Sequence, residues 1–294
     1  MKRALLAGLC LLVVFAPARA QTPEQKKATI AYVRGLRQKD GGFAPAAGQD
    51  KSSLRATSAA ARVLKYFGDS GPAATHAAPF IARCFDKESG GFADQPGGKA
   101  DAPTTAIGLI ALATYSMQIR PYQGAAKYLD DHVKGFEQIR IAAAGFEAIR
   151  QRPAKADEWL KEIATLRNPD GTYGKGDGKA RATGGAVVAV LRLGGKVVPH
   201  PDAILKSLDA GQRADGAWGK AGAKGSDLES SYRVMRAYHM LQTGPARPAH
   251  ADRLRAFLAR CRNEDGGYGV APGQKSSVSG TYFAATILHW LEGP

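Results

Sequence analysis

Asp265-Gly266-Gly267-Tyr268-Gly269, set between an amphipathic run and an apolar one, is the last of five versions of one turn. The others are Asp40-Gly41-Gly42-Phe43, Ser89-Gly90-Gly91-Phe92, Asp170-Gly171-Thr172-Tyr173-Gly174 and Asp215-Gly216-Ala217-Trp218-Gly219. Their aromatic residues stand 49, 81, 45 and 50 positions apart, and a degenerate sixth copy, Lys134-Gly135-Phe136, divides the long gap into 44 and 37. A period of this length marks a repeat architecture, in which no unit buries its apolar face alone and neighbours must stack. Within the turn, glycine permits the left-handed backbone that ends a helix, Asp bonds the turn's own amides, and the aromatic plugs the seam to the next unit.

The flanks of each turn read as two kinds of helix. Upstream of the last one, Leu254, Phe257, Leu258 and Cys261 fall at i, i+3, i+4 and i+7, with Arg253, Arg255 and Arg262 left to solvent; this is an outer helix with one apolar stripe. Downstream segments such as Thr104 to Ala113 and Thr183 to Leu191 are apolar all round, as helices buried on every side must be. N-cap residues stand ahead of these inner helices: Ser52 or Ser53, Asp101, Ser226 or Asp227, and Ser276 or Ser277. The expected fold is all-α: an α/α toroid of six helix-pair repeats.

The chain opens with Met1-Lys2-Arg3, an apolar run from Ala4 to Ala16, and Ala18-Arg19-Ala20. That is the form of a secretory signal peptide over residues 1–20, and it leaves a toroid domain over 21–294 with Gln21 first. The apolar run is too short to span a bilayer, which takes ~20 residues, and Cys10 stands behind Leu9 rather than behind the small residue a lipidation site needs. No later segment is long and apolar enough to be a span. The expectation is therefore an exported chain, periplasmic or extracellular, that is not an integral membrane protein. Loss of Lys2, Arg3 and Arg19 lowers the formal charge from +15 to +12. A basic exported protein meets anionic lipids, envelope polymers or acidic ligands before it meets nucleic acid. Of the two cysteines left, Cys84 and Cys261, each closes a helix pattern where another repeat places an apolar residue such as Leu36. Both are expected to be packed, free thiols.

The turns and the Ala-rich helices that follow them, such as Ser52 to Gly68, resemble the prenyltransferase and squalene-cyclase repeat family over essentially the whole mature chain. Cys84 to Leu112 is especially similar to a repeat of the protein geranylgeranyltransferase β subunits. The resemblance implies an α/α barrel whose central cavity, in the enzymes, holds an isoprenoid. It also implies where their chemistry would sit. The zinc positions of the protein prenyltransferases fall on Ser53, Arg55 and Thr104 by one alignment and on Glu229, Ser231 and Thr281 by the other. Neither set offers the thiolate and imidazole such a site needs. The Asp-x-Asp-Asp acid of the cyclases is missing as well, and Asp130-Asp131 reads as a solvated face at the end of an outer helix. The Gly-Cys-Gly-Glu-Gln of complement-like thioester toroids does not occur.

Other chemistry is no better supplied. His76, His132, His200, His239, His250 and His289 are scattered, without metal spacing. No Gly-x-Ser-x-Gly elbow occurs, and Gly174-Lys175 and Gly219-Lys220 lack the rest of a phosphate loop. No catalytic residue, metal or cofactor is assigned. One constellation remains. The loops that join outer to inner helices must share one end of a toroid, and they carry Lys51, Lys99, Lys134, Lys175, Lys179, Lys220, Lys224 and Lys275. The positive N-termini of the inner helices lie at that end, with Arg55, Arg140, Arg181 and Arg233 near their starts. Arg55, Arg140, Arg181, Arg233, Lys175 and Lys179 form the expected anion site, and carboxylates such as Asp94, Asp101 and Asp177 are positioned to neutralise part of it.

Two functional classes follow. One is a non-catalytic binding or scaffold protein that holds an anionic lipid or isoprenoid, or an envelope protein partner, at an apolar cavity with a basic mouth. The other is a transferase acting on an isoprenoid diphosphate with an altered metal site. Few aromatics fall on the inner helices (Tyr66, Tyr115, Phe146, Tyr232, Tyr238, Tyr282 and Trp290), which predicts a narrow pocket.

Overall fold

The computed structural model describes residues 21–69, 74–197 and 201–293. The expected signal peptide over 1–20, Cys10 within it and His200 lie outside those residues. Among the described residues there are twelve α-helices. The outer set is α1 (Pro23–Gly35), α3 (Ala74–Arg83), α5 (Gly124–His132), α7 (Ala156–Thr165), α9 (Pro201–Ala210) and α11 (Ala251–Cys261). The inner set is α2 (Leu54–Tyr66), α4 (Ala102–Thr114), α6 (Gly135–Ala148), α8 (Lys179–Arg192), α10 (Leu228–Leu241) and α12 (Val278–Glu292). Each inner helix packs on the next, and α12 packs on α2, so the six close a ring inside the outer helices. No described helix is long and apolar enough to cross a membrane.

The repeated turn is a joint with fixed hydrogen-bond roles. Asp265 Oδ1 accepts from the Gly267 amide at 2.9 Å and from Ser276 Oγ at 2.7 Å. Asp40 takes Gly42 and Ser52 in the same way, and Asp215 takes Ala217 and Ser226. The next residue in each loop then caps the inner helix: Ser53, Asp101, Asp227 and Ser277 accept an amide of the first turn. The plug aromatics are buried, and the amides of Phe43, Phe92, Tyr173, Trp218 and Tyr268 donate to the hydroxyls of Thr57, Thr105, Thr183, Ser231 and Thr281. A short polar side chain is thus required in an otherwise apolar helix, because a buried amide without a partner is costly. Gly266 closes the ring: its φ is +85°, and a Cβ there would stand 2.5 Å from the carbonyl oxygen of Ala28 on α1. On the same seam the Val278 amide donates to Pro45 O at 2.9 Å, joining the sixth repeat to the first.

The third repeat departs from the expected pattern. α5 ends at His132 and α6 begins at Gly135, so no polar loop separates them and Phe136 lies in the first turn of an inner helix rather than in a turn. Lys134-Gly135-Phe136 has no Asp to organise a loop. Cys84 and Cys261 are free and buried, and burial pushes both thiols up to about 12.

Candidate functional site

The inner helices surround a central cavity of about 550 Å³, well inside the ~300–1,000 Å³ range of small-molecule sites. It is wider than the scarcity of aromatics predicts, because Ala59, Ala113, Ala144, Ala148 and Gly185 line it and give it room. Tyr115, Phe146 and Tyr238 point into the core instead. The cavity has two unlike walls. Ile107 and Ile110 of α4, Ile141 of α6 and Val188 of α8 make an aliphatic one; Arg62 of α2, Tyr232 and Arg236 of α10 and Tyr282 of α12 face it.

At the mouth, where the inner helices start, the structure brings together most of the expected arginines and gives each a carboxylate. Arg55 Nη2 donates to Thr104 Oγ1 at 2.5 Å and stands 3.5 Å from Asp101, with Nε 3.8 Å from Asp94. Arg140 pairs with Glu137 at 3.2 Å. Arg233, its side chain only 8% exposed, binds Glu137 at 2.8 Å and Glu229 at 2.7 Å. Glu229 also takes Arg181 at 3.1 Å and Lys220 at 3.2 Å. Burial alone would raise the Glu229 carboxyl, but Arg233, Lys220 and Arg181 outweigh it and hold it at about 2. Arg55, Arg140 and Arg233 line the cavity, and Arg181 is tied to them through Glu229. Lys175 and Lys179 are not on its wall: Lys175 is exposed in its loop, and Lys179 binds Asp170 at 2.6 Å. The positions that resemble zinc ligands hold the joint together instead, with Ser53 a cap, Thr104 bound by Arg55, and Ser231 and Thr281 on turn amides. Asp131 pairs with Lys127 on the outer surface of α5.

Two turns beyond Arg55 on α2, and within one turn of Arg233 on α10, the arrangement changes. Arg62 Nη1 donates to Tyr282 Oη at 2.7 Å, and its guanidinium carbon lies 4.0 Å from the centre of that ring. Tyr282 and Tyr232 share a hydrogen bond of 3.0 Å between their hydroxyls. Arg236 Nη2 donates to Tyr232 Oη at 2.9 Å, and the guanidinium stacks over Trp290 at 4.5 Å. Its Nε is buried and has no hydrogen-bond partner. Among the described residues neither Arg62 nor Arg236 has a carboxylate within ion-pair distance. Arg192 completes the group from α8, bound to Glu147 at 2.8 Å. Burial works to raise the Tyr232 phenol, yet Arg236, Arg62 and Arg192 pull it down to about 7. Burial and the neighbouring Tyr232 push Tyr282 up against the pull of Arg62.

Reading the sequence for a basic mouth misses Arg62, Arg192 and Arg236. The signal was present: Tyr232-Arg233-Val234-Met235-Arg236 puts two cations one turn apart in the middle of a helix that should be apolar all round.

The sequence matches the prenyltransferase alpha-alpha toroid domain over residues 4–116, 72–128 and 141–293. Drimenyl diphosphate synthase of Streptomyces showdoensis is 33% identical over 153 residues; the match covers 47% of this chain and 28% of that protein, so the chain spans under a third of that relative's length. The type II terpene cyclase MstE from Scytonema has the same fold at a TM-score of 0.63 and 13% identity, covering 91% of this chain and 96% of the cyclase. An arginine-to-alanine variant of that cyclase, in complex with geranylgeranyl dihydroxybenzoate, superimposes at a TM-score of 0.60 and 13% identity, over 91% of this chain and 95% of the other. A glycosidase variant in complex with glucose shares the fold at a TM-score of 0.57 and 14% identity, over 92% and 91% of the two chains.

Proposed function

The chain belongs to the prenyltransferase alpha-alpha toroid family, and from that premise we propose that it is an exported, non-catalytic protein that binds an isoprenoid-like amphiphile with an anionic head group. The observation that carries this reading is the pair of facing walls. A branched hydrocarbon chain lies against Ile107, Ile110, Ile141 and Val188, while Arg62 and Arg236, each without a carboxylate, receive the head group. The substrate bound in the Scytonema cyclase variant of the same fold is geranylgeranyl dihydroxybenzoate.

The mouth arginines act in this scheme as ties between repeats, their charge largely cancelled by Asp94, Asp101, Glu137 and Glu229. Those carboxylates also weigh against glycosidase-like or cyclase-like chemistry at the mouth, which needs a carboxyl group held protonated near neutral pH. Glu229 is held at about 2 and Glu137 is lowered, although burial works to raise both, because Arg233 and the other cations prevail. The transferase reading keeps one supporting feature, the cavity phenol of Tyr232, which Arg236, Arg62 and Arg192 draw downward and so make better able to exchange a proton.

Calorimetric titration of farnesyl phosphate against farnesol tests the binding reading. Farnesyl phosphate is expected to bind more tightly, with an advantage that shrinks as salt is added. Equal affinity for the two would contradict it. Cell fractionation and N-terminal sequencing test the export reading, which expects a mature chain beginning at Gln21.

A further inference from the structure

The guanidiniums that line this cavity fall into two groups. Arg140, Arg192 and Arg233 each hold a glutamate, so their charge is balanced within the fold. Arg62 and Arg236 hold only phenolic hydroxyls, a backbone carbonyl and aromatic faces. A half-buried cation without a counter-charge is costly, and two held side by side, as Arg62 and Arg236 are, favour an anion between them. The hydrogen bonds indicate which group supplies it. Arg62 donates to Tyr282, Tyr282 is within 3.0 Å of Tyr232, and Arg236 donates to Tyr232 from the other side. With the Tyr282 proton directed at Tyr232, the Tyr232 oxygen receives two hydrogen bonds and keeps no obligation to donate.

We propose that Tyr232 is the cavity's own counter-anion: its phenolate neutralises Arg62 and Arg236 until an anionic ligand takes those guanidiniums over, and Tyr232 then takes up one proton from solvent. The ligand class rests on the binding function proposed above; the counter-anion role rests on the cluster alone. Charged and titratable groups line the cavity around this pair from five inner helices: Arg62, Lys65 and Tyr66 from α2, Arg140 and Glu147 from α6, Arg192 from α8, Arg233 and Arg236 from α10, and Tyr282 from α12. Glu137 and Glu229 hold Arg140 and Arg233, and Glu147 holds Arg192, so Arg62 and Arg236 are the arginines left over, and the lowered Tyr232 pKa agrees with that balance. His239 and His289 stand beyond Trp290 and Tyr66; burial lowers both, so they stay neutral above pH 7 and do not mask the step.

The sign of the coupling follows from proton uptake. Above the Tyr232 pKa of about 7 the ligand must bring a proton with it, so affinity falls by about tenfold for each pH unit. The test is an ultraviolet titration of tyrosinate from about pH 6 to 9, where ordinary tyrosines, ionising near ~10, remain silent. One tyrosinate per chain is expected to appear near pH 7, to vanish in Tyr232→Phe, and to move to higher pH in Tyr282→Phe, which keeps the test open if the first variant does not fold. Adding farnesyl phosphate at about pH 8 should abolish the band, and above about pH 7, where the phosphate's own second ionisation near ~6 is largely complete, its affinity should become independent of pH in Tyr232→Phe. A titration without a step below pH 9, a step that persists in Tyr232→Phe, or farnesyl phosphate that binds by calorimetry and leaves the band intact would each overturn the proposal. Absence of any binding heat near pH 6.5 defeats the ligand reading instead, and the spectra of the wild type and the two variants then decide the counter-anion role alone.

Discussion

The mouth and the interior of the cavity are both built around arginines on inner helices, yet the two regions treat the charge in opposite ways. At the mouth Arg233, Arg181 and Lys220 converge on Glu229, and Arg233 and Arg140 on Glu137, so each cation is matched by a carboxylate from its own or a facing helix. In the interior Arg62 and Arg236 rest on Tyr282, Tyr232 and Trp290. An arginine that already holds a carboxylate has little to offer a ligand, because binding would first have to break a desolvated pair. One held by a phenol and a ring face keeps most of its attraction for a new anion. The difference teaches that the number of cations around an opening does not locate its binding site; their partners do.

The largest expected effect falls on the mouth, and on stability. Glu229→Ala leaves Arg233, 8% exposed, with one partner fewer and strips Arg181 of its pair. Breaking so buried a network should cost about 2–4 kcal/mol in denaturant unfolding while leaving farnesyl phosphate affinity undiminished. Lost affinity with unchanged stability would reverse the roles assigned to the two regions.

Next comes the interior. Arg236→Met replaces the guanidinium that stacks on Trp290 with an uncharged thioether and removes the charge. Affinity for farnesyl phosphate should fall by about 10- to 100-fold, the worth of one charged hydrogen bond. Thermal stability measured near pH 6, where Tyr232 is a neutral phenol, should hold or rise, since an arginine without a counter-charge has gone. A large loss of stability with intact binding would make Arg236 a structural residue.

How much of this was legible in the sequence follows from the same contrast. The joint repeats, so its rules show on a single chain: Asp40, Asp215 and Asp265 with their glycines, Ser53, Asp101, Asp227 and Ser277 as caps, and the amphipathic stripe of α11 all stand where period and cap chemistry put them. The third repeat has no Asp and no loop, and there the pattern breaks. The expected anion site was legible only as composition. Sequence places Arg55, Arg140, Arg181 and Arg233 at helix starts but cannot show that Glu137, on α6, binds Arg233, 96 residues away on α10. Lys175 and Lys179 share with them only the end of the toroid to which their loop belongs, and loops at that end face outward as well as inward. Arg62 and Arg236 lie outside every repeated feature, and only the meeting of α2, α10 and α12 gives them a common purpose.

The smallest effect is expected at the outer edge of the mouth. Arg55 is 45% exposed and its partners Asp94 and Asp101 are 39% and 53% exposed. Such pairs contribute less than about 1 kcal/mol. Changing Arg55 and Arg181 together to Ala should therefore shift farnesyl phosphate affinity by only about two- to threefold. A drop as large as that of Arg236→Met would return the binding site to the mouth.

The most direct measurement is a crystal structure of the protein with farnesyl phosphate bound. The account predicts phosphate density within hydrogen-bond distance of Arg62 and Arg236, with the farnesyl chain along Ile107, Ile110, Ile141 and Val188. Density for the phosphate among Arg55, Arg181 and Lys179 at the mouth, with Arg62 and Arg236 still on their tyrosines, would contradict it.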